Sequence, residues 1–142
     1  MKLETVEQRH KFISDMVKKA FKFEDSLIPD SEHSDDWAGA MSTVENLVMI
    51  EEFIRTEQIF LDTFAEMDEV PTRDENGKKY FLGMVDDSLI FFVDTILLHK
   101  LEFAHDQLDD WEFVREDAVK FKKSFCRKLN TLIKTYQDIY DL

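Results

Sequence analysis

Apolar residues recur along this chain at steps of three and four, with polar residues filling the positions between them. That period belongs to helices. The first run predicts a helix over 6–24. Phe12, Ile13, Met16, Val17, Ala20 and Phe21 share one side, and Lys11, Lys18 and Lys22 share the other. Thr5 and Gln8 have capping-box spacing at its start. Residues 25–36 hold Pro29, three serines and a run of acids, and read as a loop that ends in a helix cap near Asp35.

The second helical region spans about 37–67 or 42–67, with a second capping-box spacing at Ser42 and Glu45. Leu47–Ile50 is apolar in every direction around a helix, and Arg55–Gln58 is polar in every direction. One straight helix with one core face does not satisfy both. The pattern predicts either a helix central at one end and exposed at the other, or a break near Arg55. Residues 68–79 read as a loop, and Asn76-Gly77 admits a short β-hairpin through 70–81.

A third helix is expected over 87–108. At about 100° per residue, Leu89, Ile90, Phe92, Val93, Ile96, Leu97, Leu101, Phe103, Ala104 and Leu108 fill one half. Asp87, Asp94, Glu102, His105 and Asp109 occupy the other, with Phe91 and Leu98 among them. A fourth helix is expected over 111–140, capped by Asp109 or Asp110. Its seam of Trp111, Val114, Ala118, Phe121, Phe125, Leu129, Leu132, Tyr136 and Ile139 suits packing on other helices. The expected fold is an all-α bundle of four to five helices in a single domain over 1–142.

Composition adds exclusions. The chain has 142 residues, 3 glycines and 13 phenylalanines. So few glycines leave little room for tight hairpins, and so many phenylalanines supply a core. One cysteine makes no internal disulfide. The charged start MKLETVEQRHK has no apolar stretch of a signal peptide, so a cytoplasmic protein is expected. The formal net charge is -13, which disfavours nucleic acid and membrane as direct partners in bulk.

Candidate chemistry is thin. Glu7-x-x-His10 and Glu102-x-x-His105 have the spacing that puts a carboxylate and an imidazole on one helix face, as in dimetal bundles. Both pairs fall among charged positions, so neither is assigned as a metal site. His105-Asp106 is similar to the His-Asp pair of metal-dependent phosphohydrolase helices, without a fixed upstream His or downstream Asp. Cys126 lies at the edge of the fourth helix's seam, where a lone cysteine reads as a packing residue. Neighbouring Arg127 and Lys128 would lower a thiol pKa, but no histidine is placed as base. No cofactor, metal or catalytic residue is assigned.

Glu51-Glu52 followed by Arg55, and Met84 three places before Asp87, resemble in part the motifs of all-α nucleotide pyrophosphohydrolases of the MazG type. That family places Glu-Glu-x-x-Glu on one helix and Glu-x-x-Asp on the next, so that facing carboxylates hold magnesium at a triphosphate. The stretch 87–98 is similar in texture to the family's second motif helix. The resemblance implies an all-α fold and metal-dependent nucleotide hydrolysis. Arg55 and Met84 stand where two of the five carboxylates would be.

Charge is segregated along the chain. From Glu102 to Asp117 there are seven acids and one base, Arg115; from Lys120 to Lys134 there are six bases and no acid. A basic stripe of Lys120, Lys123, Arg127 and Lys134 is expected on the fourth helix. An acidic stripe of Asp87, Asp94, Glu102 and Asp109, with Phe91 and Leu98 beside it, is expected on the third. Acids repeated every one or two turns can answer a row of cations, and the apolar pair adds contact that charge alone does not hold. The sequence thus predicts a non-catalytic protein-interaction module, an acidic inhibitor or regulator directed at the basic surface of a nucleic-acid-handling protein. The alternatives are the hydrolase just described and a structural homo-oligomer, dimeric through the second helix or the end of the fourth.

Overall fold

A computed structural model describes residues 3–27, 34–69 and 87–142. All regular structure among them is helical. Helix α1 is Val6–Leu27 and α2 is Ser34–Glu69. Helix α3 runs over 87–110 and contains a π-helical turn at Val93–Leu97. Helix α4 is Glu116–Tyr140. The hairpin expected through 70–81 lies outside the described residues, as does Met84.

The start of α1 follows its sequence signal. Gln8 N donates to Thr5 Oγ1 at 3.1 Å and Thr5 N donates to Gln8 Oε1 at 3.1 Å, which satisfies two backbone donors that a helix start leaves unpaired. Val6, Ile13, Met16, Val17, Ala20 and Leu27 point inward at helical steps.

Helix α2 has no break near Arg55 and runs for 36 residues. Within its apolar block Leu47 and Ile50 are buried, while Val48 and Met49 are exposed. Within its polar block Glu57 continues the inward row of Ile50 and Ile54 and is itself fully buried. The helix is therefore neither broken nor divided into a buried and an exposed end: one inward row continues through both blocks. Ser42 does not cap a helix; it lies inside α2, where its hydroxyl donates to Gln107 Oε1 at 3.0 Å.

Neighbouring helices run antiparallel, as side-chain pairs show. Trp37 Nε1 donates to Glu24 Oε1 at 3.0 Å, and Arg55 Nε donates to His10 Nε2 at 3.2 Å, at opposite ends of the α1–α2 pair. Phe92 of α3 meets Phe53 and Phe60 of α2 at ring separations of 6.0 and 5.6 Å, and Gln107 meets Ser42 and Asn46 further along. Asn130 of α4 reaches His105 of α3. Phe23 of α1 stacks on Phe121 of α4 at 4.6 Å, closing the ring. The order round the bundle is α1, α2, α3, α4, with α1 diagonal to α3.

Helix α4 starts later than its seam suggests. Residues 111–115 form a connection, with Arg115 at the cap position. Asp109 and Asp110 lie in α3 and do not cap α4, whose N-cap makes no side-chain capping bond; the connection leading into α4 is held from another helix. The buried carboxylate of Asp36 accepts from Val114 N at 2.8 Å and Arg115 N at 2.9 Å. Trp111 folds back on α2 and donates from Nε1 to Asp35 O at 3.0 Å. Val114, placed in the seam by its spacing, is exposed in the connection.

Candidate functional site

The π-turn decides which residues α3 shows to solvent. Leu89, Val93, Leu97 and Leu101 are all buried at successive steps of four. A straight α-helix over-rotates by about 40° at each such step, so three steps would turn Leu101 out of the core by about 120°. The wider i→i+5 turn takes up that drift. Beyond it, the inward face is rotated by about one residue position relative to an unbroken α-helix.

Two expectations are corrected by that rotation. Leu98, read as part of the acidic stripe, is 5% exposed and belongs to the core. Phe103, read as core, is 47% exposed. Phe91, ahead of the π-turn, stays where the spacing put it, at 64% exposed. Asp87, Asp94, Glu102 and Asp109 are all exposed, but they do not form one straight row. The charges of Asp109 and Asp106 both bear on Cys126 of α4. The surface beyond the π-turn also carries Asp106 and Asp110. With His99, Glu102, Phe103 and Trp111 these line a shallow cleft of about 550 Å³. Lys100 Nζ already sits 4.7 Å from the centre of the Phe103 ring, so that ring takes a cation within the chain itself.

The basic stripe of α4 is exposed at Lys120, Lys123, Arg127 and Lys134. Lys120 pairs loosely with Glu116 at 3.8 Å. Lys128, beside the stripe, lies over the Phe125 ring at 5.2 Å and meets Lys19 of α1. Its partial burial, and then the adjacent Lys19 ammonium and Arg127, hold its pKa below the ordinary lysine value.

The catalytic candidates fare differently. His10 Nε2 accepts from Arg55, which also bonds Glu51 at 3.3 Å and Glu52 at 2.9 Å. The two glutamates of the pyrophosphohydrolase-like motif thus hold an arginine of their own helix. His105 has Nδ1 at 3.0 Å from Asp106 Oδ1 and Nε2 at 3.2 Å from Asn130 Nδ2, so both ring nitrogens are engaged. Among the described residues no three His, Cys, Asp or Glu side chains gather as a metal site. Burial, with Asp109 and Asp106 nearby, pushes the Cys126 thiol up to about 11, against the lowering expected from its basic neighbours.

Sequence reading missed a buried polar cluster at the other end of the bundle. Glu57 Oε2 accepts from Arg9 Nη2 at 3.0 Å, its Oε1 accepts from the Tyr136 hydroxyl at 2.6 Å, and Tyr140 also donates to Oε2. Arg9 Nη1 donates to the carbonyls of Leu3 and Glu4 at 3.0 and 3.1 Å, and its guanidinium lies 4.8 Å from the Tyr136 ring centre. Arg9 stays charged. Desolvation opposes its charge, but Tyr136 and Glu57 outweigh it, so the net shift is upward. The Tyr136 hydroxyl is held far above the ordinary tyrosine range by burial and by the charge of Glu57. The signal was in the period: Arg9 continues the row of Val6 and Ile13, and Glu57 that of Ile50 and Ile54. The carboxylate and the hydroxyls satisfy one another, with Arg9 Nε left as a buried donor without a partner among the described residues; no free nucleophile or base remains, so the cluster is a structural clasp.

No described helix is long and apolar enough to cross a membrane. No protein-family model, no curated protein and no solved structure matches this chain.

Proposed function

We propose that the protein is a non-catalytic interaction module whose α3 outer face binds the basic surface of another protein, as an acidic inhibitor or regulator of a nucleic-acid-handling partner. The observation that carries this reading is the exposure of Phe91 and Phe103 on a helix whose other outward residues include Asp87, Asp94, Glu102, Asp106 and Asp110. Exposed aromatics supply the apolar anchors of an interface, and the surrounding acids select a cationic partner and speed its approach. The carboxylates of this face are apart from the clasp around Glu57, and all but Asp106, which meets His105, are open to a partner's lysines and arginines.

The test is capture of partners from the source cell at low and at moderate salt, with wild type and with Asp94→Lys plus Glu102→Lys. The reading expects a salt-sensitive complex that the double reversal abolishes while helicity is unchanged. Equal recovery of the same partner by both proteins would defeat it.

A further inference from the structure

The clasp around Glu57 leaves one buried donor unmet. Arg9 is 2% exposed; its Nη1 donates to the carbonyls of Leu3 and Glu4, and its Nη2 donates to Glu57. Its Nε has no hydrogen-bond partner among the described residues. Native folds leave few buried donors unpaired, and a charged one loses most by it. Glu57 does not supply the acceptor, since Oε1 takes the Tyr136 hydroxyl and Oε2 takes Arg9 Nη2 and Tyr140. Arg9 also lines a cavity of about 700 Å³ at this end of the bundle, to which all four helices contribute. Val6 and Leu89 are its buried apolar lining, Leu61 is half-buried, and Ile90 and Ile139 are exposed.

We propose that this cavity binds a neutral amphipathic small molecule, an amide or ketone whose carbonyl oxygen accepts from Arg9 Nε while its apolar body lies against Val6, Leu61, Leu89, Ile90 and Ile139. Three features select that class. The unmet donor calls for an oxygen acceptor, which an ammonium group lacks. The exposed carboxylates of Glu4, Glu7 and Asp141 line the same cavity, and Glu57 already balances the charge of Arg9, so an anion finds no net attraction. The aliphatic side chains reward a hydrocarbon part that covers them. Few polar groups converging on a mostly apolar wall, in a space within roughly 300–1,000 Å³, is the usual form of a small-molecule site.

Water is the competing acceptor. A water molecule would answer Nε as well as a carbonyl does, but it would leave the aliphatic wall wet. A carbonyl on a hydrocarbon body keeps the hydrogen bond and also removes apolar surface from water, so burial decides between them. The site is separate from the α3 interface, since none of Phe91, Asp94, Glu102 and Phe103 lines it.

The experiment titrates the full chain with hexanamide and follows the Arg9 Nε–H signal and the backbone amides of Val6 and Leu89 by nitrogen-15 NMR. Hexanoate and hexylammonium are the parallel probes, of equal chain length and different charge. All three signals should move together with hexanamide and saturate, with a dissociation constant on the order of 1 mM for so small a probe. Hexanoate and hexylammonium should bind at least about tenfold more weakly. Arg9→Met with Glu57→Leu removes the donor together with its counter-charge, and should weaken the response of Val6 and Leu89 at least about tenfold. Ile90→Ser with Ile139→Ser alters only exposed wall residues, and should weaken binding at least about threefold with the Arg9 signal and the fold intact. That pair decides the matter if the first variant does not fold. Four results would overturn the proposal: no movement of the Arg9 signal up to about 50 mM hexanamide, which leaves water as its acceptor; equal binding of either charged probe; an undiminished response in the folded Arg9–Glu57 variant; or indifference to the Ile90 and Ile139 changes.

Discussion

Arg9 and Glu57, 48 residues apart, form an ion pair at 3.0 Å with side chains 3% and 0% exposed. The pair ties the first turn of α1 to α2, and Tyr136 and Tyr140 bring the end of α4 to the same carboxylate. Glu57→Ala would leave Arg9 charged and buried, with the Tyr136 hydroxyl unpartnered. Breaking a buried pair from one side typically costs about 3–5 kcal/mol. Urea unfolding of Glu57→Ala should show a loss of that size. Tyr140→Phe, which removes one charge-assisted bond, should lose less, about 1.5–3 kcal/mol. A paired apolar replacement, Arg9→Met with Glu57→Leu, should recover most of the loss, because it removes both charges together.

The pH dependence follows from two groups whose acid forms the fold favours. Cys126 rises from 9.0 to about 11, and Tyr136 rises from 10.0 to beyond the range of ordinary titration. A raised folded pKa stabilises the protein fully below the unfolded value, and that contribution is lost as pH climbs toward the folded one. Stability should therefore be flat for these groups up to about pH 9, fall between 9 and about 11 through Cys126, and continue to fall above 10 through Tyr136. Cys126→Ala should remove the first decline and Tyr136→Phe the second, in denaturation midpoints taken across the alkaline range. The same burial makes the native thiol slow to react with a disulfide reagent near neutral pH.

Gly39 sets a propensity rule against a packing rule. Alanine in place of glycine inside a helix is worth roughly 1 kcal/mol by propensity. A Cβ at Gly39 would lie 2.5 Å from Trp111 Nε1, 2.7 Å from Trp111 Cδ1 and 2.8 Å from Phe113 Cε1. Both rings would have to move, and the Trp111 bond to Asp35 O would be disturbed. Overpacking of this kind typically costs about 1–3 kcal/mol, so it should win. Gly39→Ala should lower Tm and shift the tryptophan emission, although a helix-propensity scale alone favours it.

Legibility in the sequence tracked how local the determining force was. Helix type came from the spacing of Ile13, Met16, Val17 and Ala20, and the Thr5–Gln8 cap came from residues three apart; both are settled within a few turns. The connection into α4 is held by Asp36, which lies 78 residues before Val114, so no local pattern shows it. Glu57 was hidden for a different reason. Hydrophobic spacing counts a glutamate as outward, while its partners Arg9, Tyr136 and Tyr140 come from two other helices. On the candidate face, Asp87, Phe91 and Asp94 were readable at a constant 100° per residue. Leu98 and Phe103 were not, because the π-turn between them and the helix start changes the rotation by packing demand and not by any marked residue.

That rotation makes a separable prediction for α3. Leu98→Ala removes a buried side chain between α3 and its neighbours and should cost about 2–5 kcal/mol. Phe91→Ser and Phe103→Ser change exposed side chains and should stay within about 0.5 kcal/mol of wild type, as surface substitutions do. An unbroken α-helix would give the reverse order for Leu98 and Phe103, with Phe103 costly and Leu98 cheap. Chemical denaturation of the three variants distinguishes the two registers without reference to any partner. If Phe103→Ser proves as damaging as Leu98→Ala, the outer face drawn for α3 is wrong, and with it the anchor on which the proposed interface depends. If the order holds, the two phenylalanine variants become the cleanest probes of binding, because a lost partner could then not be ascribed to a lost fold.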